Sequence, residues 1–145
     1  MVHSLPEVKT EANTAVVTLG FNGKYFVDAD HINMSTVAPF VEFADFFTLD
    51  VASYIGLESE PDEVNAFISS CKKHIGNLSI PGVDHPLLIT ENLLKEITGK
   101  YLAAVTQASF IYQYLTHRKG NDDFIIEISM DEVEKPPPHG FTVYF

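Results

Sequence analysis

The sequence predicts an α+β fold in which an antiparallel sheet packs against about three helices. The pair Asn22-Gly23 stands between two apolar runs, which is typical of a β-hairpin. The segment from Thr90 to His117 carries an unbroken helical pattern of apolar residues. Near the C-terminus, two segments alternate apolar and other residues as half-buried strands do. The hairpin and these two segments are expected to supply the sheet.

The N-terminal part is expected to form the hairpin. Residues 1–11 show no periodicity, and we expect them to be frayed. Residues 13–20 and 24–27 are the two predicted strands on either side of the Asn-Gly turn.

Residues 35–55 are predicted to form the next helix. Ser35 or Thr36 is suited to cap it, and Pro39 is tolerated in a first turn, where a missing amide donor does no harm. A strand stays open for residues 39–49, because four phenylalanines within eight residues also favour a pleated surface.

A shorter helix is predicted after Ser59, with Pro61 in its first turn and Gly76 closing it. The following residues, 77–89, are interrupted by prolines and a glycine and are expected to form a loop.

The central helix is capped by Thr90 and followed by Gly120, which suits a helix end. No charged residue occurs from Tyr101 to Thr116, which raises the alternative of a membrane-spanning or partner-docking helix. At about 1.5 Å per residue this stretch measures about 24 Å, shorter than a bilayer core of about 30 Å. A buried core helix is therefore expected. Its apolar stripe consists of Leu94, Ile97, Tyr101, Ala104, Ala108, Ile111 and Leu115.

The last two strands are predicted over residues 124–130 and 141–145. Residues 131–140 contain three consecutive prolines and are expected to be an exposed connection. No internal repeat is present, and we expect a single domain over residues 1–145.

Composition excludes several classes of partner. The net charge of −11 repels nucleic-acid phosphates and anionic membranes, and it favours basic protein partners. Cys71 is the only cysteine and no secretory signal is visible, so we expect a cytoplasmic protein. The oligomeric state cannot be inferred from these properties.

Two groupings of chemically active residues have ordinary interpretations. Asp28, Asp30 and His31 resemble an oxygen-rich turn, but they lack the ligand ladder of a calcium loop, and a solvated turn is expected. Cys71 and His74 share a helix face, yet Cys71 falls on the apolar stripe and is expected to be a buried, unreactive thiol. We therefore predict no metal, no cofactor and no catalytic residue.

The absence of nucleotide-binding and hydrolase motifs favours a non-catalytic binding protein. The leading hypothesis is a small acidic intracellular inhibitor, such as a toxin-neutralising immunity protein, that binds a basic protein. The predicted partner-binding residues are Glu42, Asp45, Asp50, Glu58, Glu60, Asp62, Glu63, Asp122, Asp123, Asp131, Glu132 and Glu134. The alternative is an enzyme or small-ligand-binding protein with a pocket between the sheet and the aromatic helix at residues 39–49.

Overall fold

The computed structural model describes residues 4–120 and 124–130. The helices are α1 (Leu5–Thr18), α2 (Pro61–Cys71) and α3 (Glu91–Lys119). The strands are β1 (Asp28–Ile32), β2 (Phe46–Asp50), β3 (Gly76–Leu78), β4 (Leu87–Ile89) and β5 (Ile125–Ser129). Short 3-10 helices occupy Ala38–Phe40, Ala52–Tyr54 and Lys72–His74.

The chain divides into two compact units, and α3 contributes to both. Unit 1 comprises Met1–Ala52 and Gln107–Phe145, and unit 2 comprises Ser53–Thr106. This division into units does not test the single domain expected over residues 1–145, which stays a prediction.

Helix α1 lies where a frayed end and the first hairpin strand were expected. The backbone amide of Ser4 donates a hydrogen bond to the Glu7 carboxylate at 2.7 Å, which secures the first turn and lowers the pKa of Glu7. Apolar residues near its end, such as Val17 at 79% exposure, do not form a buried strand face. Gly23 lacks the positive φ that the predicted turn requires. The predicted hairpin is therefore wrong.

Unit 1 contains a three-stranded parallel sheet with the strand order β1-β2-β5. The predicted antiparallel sheet is wrong, although the α+β composition with three helices is confirmed. Alternation along a strand reports which side chains share a face, but it carries no information on strand direction. Direction depends on the connections, and parallel neighbours require long crossovers such as those joining these strands.

Strand β2 lies inside the segment that was predicted as a helix over residues 35–55. The prediction of that helix is wrong. The alternative prediction of a strand over residues 39–49 is correct from Phe46 onward. Phe47 and Leu49 are fully buried on one face of β2, which is the environment in which aromatic and branched residues favour a strand.

The core of unit 1 lies on one face of this sheet. Its fully or nearly fully buried apolar residues are Ala29, Ile32, Val37, Val41, Ala44, Phe47, Leu49, Val51, Ala108, Ile111 and Leu115. The ring of Phe47 meets that of Phe124 edge to face, with 6.0 Å between centroids. The Lys119 ammonium group donates to the carbonyls of Val41 and Ala44 at 2.8 and 3.0 Å, which ties the end of α3 to the turn before β2.

Unit 2 contains α2 and a small antiparallel pair, in which Gly76 is aligned with Ile89 and Leu78 with Leu87. The loop expected over residues 77–89 is therefore wrong at both of its ends.

The predicted limits of α3 are confirmed, since the Thr90 hydroxyl accepts a hydrogen bond from the Leu93 amide at 3.1 Å and Gly120 has a φ of 95°. Over the described ranges, none of the helices meets the length and hydropathy needed to cross a membrane. The predicted strand at residues 124–130 is confirmed as Ile125–Ser129, whereas the predicted connection 131–140 and strand 141–145 lie outside the described residues.

Candidate functional site

The face of the parallel sheet opposite to the core carries polar side chains from all three strands. Side chains alternate between the two faces of a strand, so residues two apart share a face. We call this surface the polar face and define it by Asp28, Asp30, Thr48, Asp50, Glu127 and Ser129.

On β2 and β5 the polar residues are concentrated toward the carboxyl ends, whereas on β1 Asp28 is the first residue of the strand and is aligned with Phe46. Where β2 and β5 begin, the aligned pair on this face is Phe46 with Ile125. The next aligned pair is Thr48 with Glu127, and the last is Asp50 with Ser129. Ligands of parallel α/β sheets bind beyond the carboxyl ends of the strands, which is the direction in which this face becomes polar on β2 and β5.

The centre of the polar face is a hydrogen bond between neighbouring strands. The Thr48 hydroxyl donates to Oε2 of Glu127 at 3.0 Å, and Thr48 is only 5% exposed. A buried hydroxyl without a partner would be costly, so the Glu127 carboxylate satisfies Thr48 and is held in position by it. Both Glu127 and Asp28 remain exposed to solvent.

The pKa of Asp28, on the polar face, is shifted by its surroundings. Partial desolvation of its carboxyl group raises its pKa above the ordinary value of 3.8, and the negative charges of Asp30 and Glu127 raise it further. Hydrogen bonding by Thr48 and the positive charge of His31 act in the opposite direction.

A β-bulge interrupts the pairing of β1 next to this cluster. Ala29 is aligned with Phe47, and Ile32 is aligned with Leu49. Between these two aligned pairs, β1 contains one residue more than β2. The backbone of His31 has a φ of 53° at this point.

Beside the bulge, the His31 ring nitrogen Nδ1 lies 2.6 Å from Oδ1 of Asp30. Strand β1 contains Asp28, Asp30 and His31, so the solvated turn predicted for these residues is wrong.

Three crystal structures of fructuronate-tagaturonate epimerase from Cohnella laeviribosi share this fold. The native structure has a TM-score of 0.60 at 19% sequence identity. The one-glycerol and two-glycerol complexes have TM-scores of 0.61 and 0.63, each at 20% identity. Each match covers 86% of this chain but 28% of the epimerase chain, so this chain spans little more than a quarter of that enzyme's length.

No protein-family model matches the sequence. No curated protein matches it either. At this level of identity the structural likeness establishes the fold alone.

The prediction of a non-catalytic inhibitor is wrong. The three solved structures named above are of an epimerase, and none of the three is an immunity protein or a toxin-neutralising protein. Small size and acidic charge are shared by many classes of protein, so they could not distinguish an inhibitor from an enzyme.

The pocket position assigned to the enzyme alternative is wrong, because residues 39–49 do not form a helix. An open groove of about 460 Å³ lies elsewhere, along α1. It is lined by Thr10, Glu11, Thr14, Ala15, Thr18 and Leu19, so it includes no residue of the polar face.

Glu42, Asp45 and Asp50 were predicted to bind a partner from the edge of the helix expected over residues 35–55, but no helix spans these three residues. Glu42 is in an exposed turn, and Asp45 forms an ion pair with Lys9 at 3.4 Å. Asp50 ends β2 and accepts a hydrogen bond from the Ala52 amide at 3.3 Å.

In unit 2, Glu58 is exposed, Glu60 is the N-cap residue of α2, and Asp62 and Glu63 lie in its first turn. The remaining predicted residues, Asp122, Asp123, Asp131, Glu132 and Glu134, lie outside the described residues. Binding of a basic protein by these carboxylates stays a prediction.

Cys71, in α2, is half-buried, and its sulfur lies 3.8 Å from the hydroxyl oxygen of Ser70. In residues 4–120 and 124–130, no group of three histidine, cysteine, aspartate or glutamate side chains is arranged to hold a metal ion.

Sequence reasoning missed Thr48 and Glu127. Each is the middle residue of a five-residue strand and has apolar neighbours on both sides in the sequence. A polar residue in that position in both strands was the available signal. Glu127 was interpreted as the solvent side of a half-buried strand. Thr48 lies within residues 35–55, which were predicted to form a helix.

Proposed function

We propose that this chain is the substrate-binding and catalytic part of an enzyme that acts on sugars, and that its reaction is an epimerisation. The proposal is carried by the Thr48–Glu127 hydrogen bond at the centre of an otherwise acidic sheet face. The likeness of the fold to fructuronate-tagaturonate epimerase supports the choice of reaction.

The chemistry of the polar face is suited to a polyhydroxylated ligand. Ionised carboxylates only accept hydrogen bonds, whereas sugar hydroxyls both donate and accept them. Asp28 on β1 and Glu127 on β5 present such acceptors on opposite sides of Thr48, and together they would bind two hydroxyls of one sugar. Two of the similar epimerase structures are complexes with glycerol, a small polyol, which supports this class of ligand.

The charge of the polar face indicates which end of the substrate it binds. A uronate carries a carboxylate, and Asp28, Asp30 and Glu127 would repel that group. The hydroxylated carbons of the substrate therefore lie over these side chains. The carboxylate of the substrate is directed away from them, beyond the polar face.

The test is conversion of fructuronate to tagaturonate by the purified chain, followed by ¹³C NMR. The wild type is expected to interconvert the two sugars. Glu127→Gln keeps the shape of the side chain but removes its charge, and Thr48→Val removes the hydroxyl that holds it. Each is expected to lower kcat/KM by at least about tenfold, the equivalent of one lost charged hydrogen bond.

Glu63→Gln is the matched control, because it makes the same change in the first turn of α2, in unit 2. Its kinetics are expected to equal those of the wild type. Lack of conversion by the wild type, together with no binding of either sugar or of glycerol in calorimetry, would refute the proposed function. Equal kinetics of Glu127→Gln and Glu63→Gln would remove the polar face from the site.

A further inference from the structure

The sheet face that carries the polar residues also carries exposed apolar surface, where β2 begins. Phe46 is the first residue of β2 and is half-buried, and its aligned partners are Asp28 on β1 and Ile125 on β5. Ile125 is 39% exposed. Aligned residues of neighbouring strands lie on the same face of a sheet. One row of this face therefore places a carboxylate, a phenyl ring and an aliphatic side chain next to one another.

A second ring packs beside the ring of Phe46. The centroid of the Phe26 ring lies 6.4 Å from that of Phe46, with an angle of 55° between the two ring planes. Phe26 is 48% exposed, so the contact leaves much of its surface open to solvent. Scattered apolar side chains on a surface need no explanation, whereas adjacent ones mark sites of interaction. We call Phe26 and Phe46 the aromatic platform.

The backbone around the aromatic platform is held by hydrogen bonds between the strands. The carbonyl of Val27 accepts hydrogen bonds from the amides of Asp45 and Phe46, at 2.9 and 3.2 Å. The amide of Ile125 donates to the carbonyl of Asp45 at 2.9 Å. The residue that follows Phe26 is thus tied to the start of β2. A preorganised support reduces the ordering cost of binding a ligand.

The surroundings of the aromatic platform suit an amphipathic ligand. Asp28 lies beside Phe46, and the Thr48–Glu127 pair follows two residues further along the same face. Two residues of a strand cover about 6.6 Å, a distance that a six-carbon sugar can span. Such a sugar presents carbon-bound hydrogens as well as hydroxyls. Aromatic rings attract carbon-bound hydrogens, because the face of the ring carries partial negative charge.

We infer that the aromatic platform binds the carbon-bound hydrogens of the sugar, an assignment that rests on the proposed function. The sugar lies on Phe46 and against Phe26, and its hydroxyls are directed to the carboxylates of Asp28 and Glu127. Carboxylates alone would accept hydrogen bonds from any polyol. The platform adds a requirement for an apolar surface on the ligand, so it determines specificity and takes no part in the chemical step.

The decisive variant is Phe26→Leu, which removes the ring but keeps an apolar side chain at a position that is 48% exposed. We expect KM for fructuronate to rise by about three- to tenfold, the range expected for loss of one aromatic contact. The value of kcat should stay within about twofold, because the platform stabilises the bound substrate and the transition state alike. Phe26→Tyr retains the ring and should leave both constants within about twofold of the wild type.

The matched control is Phe110→Leu, because Phe110 is 49% exposed and lies on α3. Its kinetics are expected to equal those of the wild type. An unchanged KM of Phe26→Leu in an active protein would overturn this inference alone. An equal rise of KM in Phe110→Leu would overturn it as well, since the effect would then not depend on the platform.

A fluorescence titration measures binding at the platform without turnover. The sequence contains no tryptophan, so Phe26→Trp introduces a single indole at the platform and Phe110→Trp introduces one on α3. We expect fructuronate to change the emission of Phe26→Trp in a saturable manner and to leave that of Phe110→Trp unchanged. No response of Phe26→Trp in an active protein would contradict the platform. If the wild type neither converts nor binds the sugars, the proposed function fails and this assignment fails with it.

Discussion

Replacing Phe47 by alanine tests whether the two faces of β2 differ as the structure shows. Phe47 lies at 0% exposure on the central strand of the parallel sheet, opposite to the polar face. Its ring packs edge to face on Phe124 at 6.0 Å between centroids, and the Lys119 ammonium lies 5.9 Å from its centre. The substitution removes all of these contacts and leaves a cavity in the core of unit 1.

The expected loss can be worked from these contacts. Phe→Ala in a core costs about 3–5 kcal/mol, and a lost edge-to-face pair adds about 0.5–1.5 kcal/mol. The sum is about 3.5–6.5 kcal/mol, a large share of the total stability of about 5–15 kcal/mol for one domain. Phe47→Leu fills most of the cavity and should cost about 1.5 kcal/mol or less, so it remains measurable if the alanine variant unfolds.

The assay is equilibrium unfolding in urea, followed by circular dichroism. Phe110→Ala is the matched control, because Phe110 is a helical residue of unit 1 that is 49% exposed. Its free energy of unfolding should change by less than about 1 kcal/mol, since little area is buried there and alanine favours a helix. Equal losses for Phe47→Ala and Phe110→Ala would contradict the assignment of the core face.

Three further predictions concern unit 1. Asp28→Asn should raise the melting temperature at neutral pH. The pKa of Asp28 is raised in the folded state, which therefore binds the proton more tightly than the unfolded state does. The stability of the wild type consequently falls as the pH rises from the ordinary pKa of Asp28 through the raised one, and asparagine removes this loss. Parallel curves of melting temperature against pH for the two proteins would contradict this. Ile111→Ala should cost about 2–5 kcal/mol in urea unfolding, because Ile111 is 1% exposed, and a neutral result would contradict its burial. Lys119→Met should cost about 1–3 kcal/mol by leaving the Val41 and Ala44 carbonyls without their charged donor, whereas Lys119→Arg should cost less.

Local signals in the sequence were sufficient for the central helix and for β5. The Thr90 cap and Gly120 each act on the backbone within a few residues of their own position, and the apolar stripe repeats every three to four residues. These local signals were enough to predict where α3 begins and ends. The alternation of residues 125–129 likewise identifies a strand, since a period of two residues belongs to the strand itself.

The N-terminal segment shows how a local signal misleads. An Asn-Gly pair favours a hairpin only if strands flank it, and the preceding residues are held in α1 by the Ser4–Glu7 interaction and the helix backbone. The same limit applies to residues 39–49, where the choice between helix and strand depends on the neighbours available for pairing. In the structure, β2 is flanked by β1 and β5, which satisfies its backbone on both sides.

Strand direction and the candidate site were decided by tertiary structure alone. Thr48 and Glu127 are 79 residues apart, and their hydrogen bond exists because parallel pairing aligns them across β2 and β5. Asp30 and His31 are neighbours in sequence, but only the bulge places them on the same side of β1. The sequence by itself determined the helical and strand periods and the acidic charge. Pairing over long distances determined which polar side chains meet, because no local interaction specifies the partner of a strand.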